Sequence, residues 1–350
     1  MIAPSPSHTL ARLGAWRSAL RLLLTLIAMV AVAARPVMAQ SMLRDAETEA
    51  LFQDMVDPLL VAAGLRPGQV RVHLLGDRSI NAFVAGSQDI YVFSGLIETA
   101  DSANEVQGVL AHELGHIMGG HAIRASDGAK TATGISLLSL LLGAAAIAAG
   151  GGDAGMGIMM AGQQAALGKY LAFSRVQEAT ADAAGAQYLS KAGISGKGSL
   201  DFFKKLQNLE FRYAVKQDDD QAYSRTHPLS GDRIQALREV YVVDPAWGKP
   251  SDPQLEARFQ RVKAKLLGYM EEPERTLRKY PESDKSVPAR YARAYAWHKS
   301  AYPQKALDEV DALIATNPED PYFLELEGQV LLESGRPKEA IPPLRKAVAN

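Results

Sequence analysis

Two histidines four residues apart, with a glutamate beside the first, form the most chemically informative pattern in this chain. Residues 111–116 read A-H-E-L-G-H and contain the pattern H-E-x-x-H. On a helix, residues four apart lie about 40° apart around the axis and one turn along it, so His112 and His116 can direct both imidazoles at one ion. Glu113 can hold and deprotonate the water that such an ion activates. The apolar, helically periodic residues 106–110 favour this metal site over a surface helix with two solvated histidines.

A catalytic zinc ion needs a third protein ligand as well as an open fourth position. The chain has no cysteine, so the ligands of any metal must be His, Asp or Glu. The extended pattern H-E-x-x-H-x-x-G-x-x-H would require a histidine at position 122, which is Ala122. On a continuous helix, His121 would lie about 180° around the axis from His112. We therefore expect His121 to be solvated or structural rather than a ligand.

An acidic pair downstream supplies the better candidate for the third ligand. Residues 174–182 read S-R-V-Q-E-A-T-A-D, which predicts a helix with Glu178 and Asp182 on one face and small neighbours around them. The small residues would let this helix approach the first one closely. We expect Glu178 to be the third zinc ligand and Asp182 to accept a proton from a ligand imidazole. Without the histidine motif, an exposed carboxylate pair would be the better interpretation.

Composition limits the classes of protein and of site. The 38 basic and 39 acidic residues nearly balance, which argues against a domain that neutralises nucleic-acid phosphates. The absence of cysteine excludes thiol nucleophiles, cysteine-ligated zinc, iron–sulfur clusters and disulfides. With 350 residues, of which 47% are hydrophobic, the chain is long enough for about two globular domains.

The start of the chain predicts a targeting segment. Residues 1–39 hold four arginines and no acidic residue, and the stretch 22–34 is apolar except for Thr25. The segment ends in V-M-A before Gln40, a small-x-small cleavage pattern. We therefore expect a secretory signal peptide over 1–39. An uncleaved anchor is less favoured, because the apolar stretch is shorter than the about 20 residues that span a bilayer.

The rest of the chain is expected to form an α+β catalytic domain over 40–248 and an all-helical domain over 252–350. A stretch rich in proline and glycine over 244–253 marks the boundary between them. Hydrophobic periodicity predicts helices over 43–63, 103–124, 170–192, 199–214 and about 228–240, and strands over 70–75, 81–84 and 89–93.

The stretch 131–168 carries a single charge, Asp153, and its core over 135–149 contains only Leu, Ile, Ala, Ser and Gly. That core is short for a membrane-spanning helix. Two interpretations stay open. One is a helical hairpin packed on the protein core, and the other is a flap beside the active site that makes peripheral contact with a membrane.

The C-terminal part shows an internal repeat. P-Q-K-A-L at 303–307 recurs as P-K-E-A-I at 337–341, an offset of 34 residues, and the same offset relates Ala294 to Gly328. A 34-residue helix–turn–helix period with small residues at the helix crossing is typical of tetratricopeptide repeats. The alternative is an ordinary helical bundle.

Four short motifs together resemble the M48 family of zinc metallopeptidases. They are H-E-L-G-H at 112–116, S-R-x-x-E-x-x-A-D at 174–182, N-A-F at 81–83, and T-H-P at 226–228 with Arg233. The resemblance implies a mostly helical gluzincin-type protease domain with a small β-sheet, followed by the tetratricopeptide-like repeats. It also implies one zinc ion per chain, held by His112, His116 and Glu178, with Glu113 as general base.

The same resemblance implies roles for residues outside the zinc motif. His227 can approach the open position of the metal, either to keep the enzyme latent or to stabilise the oxyanion. The alternative is that His227 merely neighbours a helix N-cap. The strand with Asn81, Ala82 and Phe83 would bind an extended peptide at the edge of the sheet. Arg233 would fix either the substrate or the loop that carries His227.

The resemblance extends to periplasmic members of the family that act on outer-membrane proteins. It implies an endopeptidase in the periplasm of a Gram-negative bacterium that cleaves unfolded or misassembled outer-membrane proteins. Its repeats would dock on the complex that assembles outer-membrane barrels. The alternative is a chaperone-like module that binds and docks clients, with latent proteolysis. No nucleic-acid partner is expected.

Overall fold

A computed structural model describes residues 41–86, 88–213, 227–228 and 230–349. Within these ranges the chain forms thirteen helices and one four-stranded sheet, which confirms the expected α+β class with a helical C-terminal part. The expected signal peptide over 1–39 lies outside the described residues.

The sheet is small and mixed, and its strands are β1 (Met42–Leu43), β2 (Arg71–Leu75), β3 (Ala82–Ala85) and β4 (Asp89–Phe93). They lie in the order β1-β2-β4-β3. The central strands β2 and β4 are parallel, and β1 and β3 pair with them in antiparallel fashion. One edge of the sheet is therefore β3, which forms a hairpin with β4.

Helix α3 (Ala103–Met118) is the centre of the catalytic part, because every residue from Ala103 to His116 is buried. The Ser102 side chain accepts a hydrogen bond from the backbone N–H of Glu105 and so caps the start of this helix. The helices that surround the sheet and the motif are α1 (Ala46–Ala62), α2 (Ser94–Thr99), α3 (Ala103–Met118), α4 (His121–Ala148), α5 (Gly152–Ala192), α6 (Lys197–Tyr213) and α7 (Gly231–Val242).

Helices α3 and α5 cross at very short range through small residues. A Cβ atom on Gly115 would lie 2.5 Å from the backbone oxygen of Ala181, and one on Gly185 would lie 3.0 Å from the backbone of Ala111. No side chain larger than hydrogen fits at Gly115 without a backbone shift. This crossing brings the acidic pair of α5 beside the histidines of α3, as the small residues predict.

The expected continuous helix over 103–124 is wrong at its C-terminal end. Helix α3 ends at Met118, and Gly120 adopts a left-handed conformation with φ 63° before α4 begins at His121. Only glycine takes this conformation without steric cost. The break redirects His121, so its position cannot be derived from the helical angle to His112.

Helices α4 and α5 form a hairpin whose outer half extends away from the core. The interpretation of a hairpin packed on the core is wrong for this half, because large apolar side chains such as Leu141 are 71% exposed. Among the described residues, His121–Ala148 is one helix long and apolar enough to cross a membrane, and only 11% of its most apolar window is buried.

The C-terminal helices pack in chain order. They are α8 (Pro253–Met270), α9 (Pro273–Lys279), α10 (Val287–Lys299), α11 (Pro303–Thr316), α12 (Pro321–Glu333) and α13 (Pro337–Ala349). Equivalent small residues lie at helix contacts: Ala294 is fully buried, and a Cβ atom on Gly328 would lie 2.4 Å from the Leu344 side chain. Helix α8 also contributes Phe259 and Val262 to the core of the catalytic part.

A buried ionic cluster joins the C-terminal helices to α1. Glu47 accepts a hydrogen bond from the Tyr291 hydroxyl at 2.8 Å, and Lys265 Nζ lies 3.1 Å from the same carboxylate. Arg261 pairs with Glu47 and with Asp320. Buried charges need partners of this kind, so the cluster fixes the helical region against the catalytic part.

We predict that Gly115→Ala lowers the free energy of unfolding by about 1–3 kcal/mol, because the new methyl group must displace the backbone of α5. The measurement is urea denaturation of the metal-free protein, followed by circular dichroism. Gly157→Ala is the control: a Cβ atom there meets nothing within 4 Å, so this variant should be as stable as the unmodified protein or more so. Equal stabilities for both variants would show that the crossing is not tight.

Candidate metal centre

Four side-chain atoms converge on one point in the catalytic part. The ligand-type atoms of His112, His116, Glu178 and His227 lie within 4.8 Å of one another, and all four residues are buried. His112 Nε2 lies 3.1 Å from His116 Nε2 and 3.3 Å from His227 Nδ1. The Glu178 oxygens lie 3.3–3.4 Å from these three nitrogens. Ligands about 2.0–2.1 Å from a tetrahedral zinc ion stand about 3.3 Å apart, so the arrangement fits zinc.

Three structural features deliver the four ligands. His112 and His116 lie one turn apart on α3, and Glu178 comes from α5 across the tight helix crossing. His227 lies shortly before α7. Buried polar atoms at these spacings are costly unless they share a partner, and a cation at the centre satisfies all four.

The electrostatics of the cluster combine burial with close opposite charges. Burial disfavours protonation of His112, but contacts with Asp182 and Glu178 outweigh it and raise the pKa of His112 to about 10. Burial and the charge on His112 lower the pKa of His116 to about 2. Burial raises the pKa of Glu178, but hydrogen bonds with His112 and His227 reverse this and hold that pKa below its ordinary value. The protein thus keeps a carboxylate ready for a cation.

Asp182 and Arg233 hold the ligands in place. Asp182 Oδ1 lies 2.9 Å from His112 Nδ1, the ring nitrogen that faces away from the convergence point. Arg233 donates two hydrogen bonds to the Asp182 carboxylate, at 2.7 and 2.9 Å, and one to the Pro228 carbonyl at 2.8 Å. The nitrogen that donates to Pro228, Nη1, also lies 3.0 Å from Glu178 Oε2. Burial raises the pKa of Asp182, but its bonds with His112 and Arg233 lower that pKa overall.

His116 has its own support, which the sequence did not reveal. His116 Nδ1 lies 2.9 Å from His121 Nδ1, and His121 Nε2 lies 3.1 Å from the Thr180 hydroxyl. Thr180 in turn donates to backbone carbonyls of its own helix. Since a carbonyl only accepts, Thr180 uses its hydroxyl proton for those bonds, so His121 Nε2–H donates to the Thr180 oxygen. His121 Nδ1 then accepts a hydrogen bond from His116 Nδ1–H, and His121 is neutral. Burial lowers the pKa of His121, in agreement with a neutral His121 ring. His121 is therefore structural, one of the two roles expected for it.

Glu113 is the fully buried carboxylate beside the convergence point. Neither of its oxygens accepts a hydrogen bond from a described residue, and His227 Nε2 lies 3.5 Å from one of them. Burial raises the pKa of Glu113. A carboxylate with unused lone pairs and a raised pKa next to a metal position is equipped to take a proton from water.

His227 connects the metal position to the edge of the sheet. Its Nδ1 occupies the fourth corner of the cluster, and its Nε2 lies 3.3 Å from the Ala82 carbonyl oxygen. The backbone N–H of Phe93 donates to the Asn81 carbonyl, so alternation along the ladder turns the backbone groups of Ala82 away from β4. His227 therefore contacts both the metal position and the free side of β3.

A cavity of about 260 Å³ lies beside the metal position. Phe83 contributes to its wall and stacks on Tyr91, while Asn81 and Ala82 are buried. The base of the α4–α5 hairpin supplies the opposite wall through Tyr170 and Phe173. Of the three residues expected to bind substrate, Ala82 and Phe83 lie on β3 and Asn81 directly precedes it, but only Phe83 lines the cavity. Arg233 lies behind the ligands, against Asp182.

Comparison with known proteins gives a consistent picture. The profile of Peptidase family M48 matches residues 16–241, well over half of the chain. The chain is 27% identical, over 79% of its length, to the beta-barrel assembly-enhancing protease of Yersinia pestis. It is 33% identical, over 51% of its length, to metalloprotease LoiP of Escherichia coli (strain K12). The chain spans 57% and 65% of the lengths of these two relatives.

We predict that His116→Ala abolishes stoichiometric zinc binding, and that His121→Leu weakens zinc affinity by about 10–100-fold, the usual effect of removing a group that orients a ligand. Zinc is measured by elemental analysis and by competition with a chromogenic chelator. His298→Leu is the control, because this histidine pairs with Glu333 in the C-terminal helices. Unchanged zinc affinity in His121→Leu would contradict the supporting role, and full zinc content in His116→Ala would contradict the ligand set.

Proposed function

This chain belongs to peptidase family M48, and from that premise we propose that it is a zinc-dependent endopeptidase with Glu113 as its general base. The observation that carries the proposal is the convergence of four buried ligand atoms next to a buried carboxylate whose oxygens accept no hydrogen bond from a described residue. His112, His116 and Glu178 would hold the metal, and Asp182 and Arg233 would position them.

Each residue has a definite task in peptide hydrolysis. Zinc supplies Lewis acidity toward the water and the scissile carbonyl. Glu113 takes a proton from the attacking water and delivers it to the leaving amine, a route that its raised pKa favours. Asp182 keeps the His112 ring in the orientation that presents Nε2 to the metal position. Arg233 balances the charge of two carboxylates and ties them to the segment that carries His227.

The substrate would bind as an extra strand on β3. The backbone groups of Ala82 face the free edge of the sheet, and this edge borders the cavity beside Glu113. An extended peptide that pairs with this edge would pass directly beside the metal position. Phe83, which reaches the cavity wall, would contact a side chain of that peptide.

His227 would act as a latch on this arrangement. Its two nitrogens contact the groups that a substrate needs, namely the fourth metal position and the Ala82 carbonyl. A peptide cannot bind both while His227 stays in place. The enzyme would therefore rest in a latent state and become active when the His227 segment moves away.

The cell envelope is the proposed location, and proteins of the outer membrane are the proposed substrates. The targeting pattern over 1–39 supports export, and several relatives carry the name beta-barrel assembly-enhancing protease. The substrates would be unfolded or misassembled outer-membrane proteins, and the C-terminal repeats would dock on the barrel assembly complex. An active site that takes an extended peptide on β3 suits unfolded chains, which offer many extended segments.

Client binding without cleavage is a second candidate function, and the position of His227 favours it. A protein whose fourth metal position is held by its own side chain can bind a client through the repeats without cutting it. The two functions are separated by a variant that removes the base and keeps the metal.

We predict that Glu113→Gln lowers kcat/KM for casein cleavage by about 10²–10⁴-fold, the usual effect of removing a general base, and leaves one zinc per chain. Cleavage is followed with fluorescently labelled casein, and zinc by elemental analysis. Glu239→Gln, an exposed change on α7, should behave like the unmodified protein. Full activity in Glu113→Gln would overturn the catalytic assignment, whereas normal outer-membrane assembly in cells carrying that variant would favour client binding.

We predict that His227→Ala raises casein cleavage severalfold and keeps one zinc per chain. Three ligands remain, and the fraction of molecules with an open fourth position increases. His298→Ala serves as the control for the loss of an imidazole. Lower activity with zinc retained would contradict the latch and point to an oxyanion role, and unchanged activity would contradict both roles.

A further inference from the structure

The outer half of the α4–α5 hairpin has the surface of a membrane segment. We define it as the apolar arm, residues 131–168, all of which the structure describes. Its single charge, Asp153, lies next to the turn between the two helices. Neither the metal centre nor the proposed function requires these residues.

The packing inside the arm is the reverse of that in a water-soluble hairpin. The four buried residues of the arm are all small, namely Ser139, Gly143, Gly155 and Ala166. The large side chains point outward instead, with Leu141 71% and Met160 67% exposed. In water, burial of leucine and methionine would drive the two helices together. In lipid, small residues form the contact between helices because the lipid tails solvate large apolar side chains.

The glycines make this contact very close. A Cβ atom on Gly143 would lie 2.7 Å from the backbone oxygen of Gly155, and one on Gly162 would lie 1.9 Å from the Ser139 side chain. Two helix backbones at this distance attract each other by dispersion, so the helices can associate without the hydrophobic effect. The arm is therefore held together by a device that works inside a bilayer.

Exposed apolar residues surround the arm rather than forming a stripe. Residues 137–142 are all leucine except Ser139, and all five leucines are exposed. Successive residues of a helix point about 100° apart, so the five leucines spread over about 200° of the circumference of α4, and the buried Ser139 lies in the remaining sector. A protein groove or a second copy of this chain would cover one face only. A lipid environment covers them all, and helices that are apolar all round belong in such an environment.

The two buried or half-buried serines of the arm make their hydrogen bonds inside it, as a bilayer favours. Ser139 Oγ donates to the Ser136 carbonyl, and Ser136 Oγ donates to Gln163 at 3.3 Å. At the turn, the backbone N–H groups of Gly150 and Gly151 donate to carbonyls of α4. From residue 131 to 149 the helix rises about 28 Å, close to the about 30 Å of a hydrocarbon core. The turn with Asp153 would thus reach the opposite headgroup region.

The base of the arm matches the near headgroup region. Lys130 and Lys169 flank the arm directly, and Arg124 and Arg175 lie further along the same helices. Tyr170, which is 47% exposed, stands at the same level. Basic and aromatic residues are enriched where a membrane segment leaves the bilayer, and the basic ones attract anionic lipids.

We propose that the apolar arm inserts into a phospholipid bilayer that contains anionic lipid, and that it holds the metal centre just above the membrane surface. Glu178 follows the end of the arm on the same helix by ten residues, about 15 Å of rise. The cavity beside the metal, with Tyr170 and Phe173 in its wall, opens at the base of the arm. Substrate chains would therefore be taken at the membrane surface.

The test uses the absence of cysteine in the chain. Leu141→Cys in the full chain is labelled with the polarity-sensitive dye NBD, and vesicles of phosphatidylethanolamine and phosphatidylglycerol are added. The proposal expects a blue-shifted emission that brominated acyl chains quench. Val61→Cys and Val348→Cys, exposed apolar positions outside the arm, are labelled in the same way and should show neither effect. Because the readout is local, the apolar stretch over 22–34 cannot produce it.

A second variant tests the apolar surface itself. Leu137→Asp and Leu138→Asp are introduced together into the labelled Leu141→Cys chain. This variant should show no blue shift, and the fraction of protein bound to vesicles should fall at least tenfold. Zinc content and casein cleavage should stay unchanged. Emission at position 141 equal to that at position 348 in the presence of vesicles would overturn the proposal. A blue shift without vesicles would also overturn it, because the arm would then contact a second copy. Membrane insertion of the arm should persist in Glu113→Gln. A failure of the proposed catalysis can therefore be told apart from a failure of membrane insertion.

Discussion

The close crossing of α3 and α5 is the constraint on which the metal centre depends. Gly115 faces Ala181, and Gly185 faces Ala111, with no room for a side chain between the backbones. Only at this distance does the short Asp182 side chain reach His112 Nδ1 while Glu178, one turn earlier, reaches Nε2 of both motif histidines. A wider crossing would separate both buried carboxylates from their histidine partners, and buried charges that lose a partner are costly.

The same helix α5 carries two kinds of packing. Near its C-terminal end it packs against the core through glycine and alanine, and its N-terminal part forms the apolar arm with large side chains outward. Since the helix is continuous from Gly152 to Ala192, any surface that holds the arm also fixes the position of Glu178. The Arg233 network adds a further link, from Glu178 and Asp182 to the Pro228 carbonyl and so to the His227 segment. Metal binding, latch and arm are thus connected through one helix.

Much of the site could be predicted because helical spacing is regular. The separation of His112 and His116, the acidic pair four residues apart and the alanines around it indicate convergence on one ion without knowledge of the fold. The role of His121 could not be predicted, because a left-handed Gly120 ends the helix and redirects the chain. The hairpin over 131–168 could be predicted from composition, but its exposure could not, since apolar sequence alone does not distinguish a core from a lipid environment. The shared core of α8 with the catalytic part depends on long-range contacts that no local pattern encodes.

The central claim is that three imidazoles and one carboxylate of this chain surround a zinc ion in the resting protein. X-ray absorption spectroscopy of the zinc-loaded protein tests it most directly. The account predicts four nitrogen or oxygen ligands at about 2.0–2.1 Å, with the multiple scattering of three imidazoles, and of two in His227→Ala. A spectrum with two imidazoles in the unmodified protein, unchanged in His227→Ala, would contradict the claim.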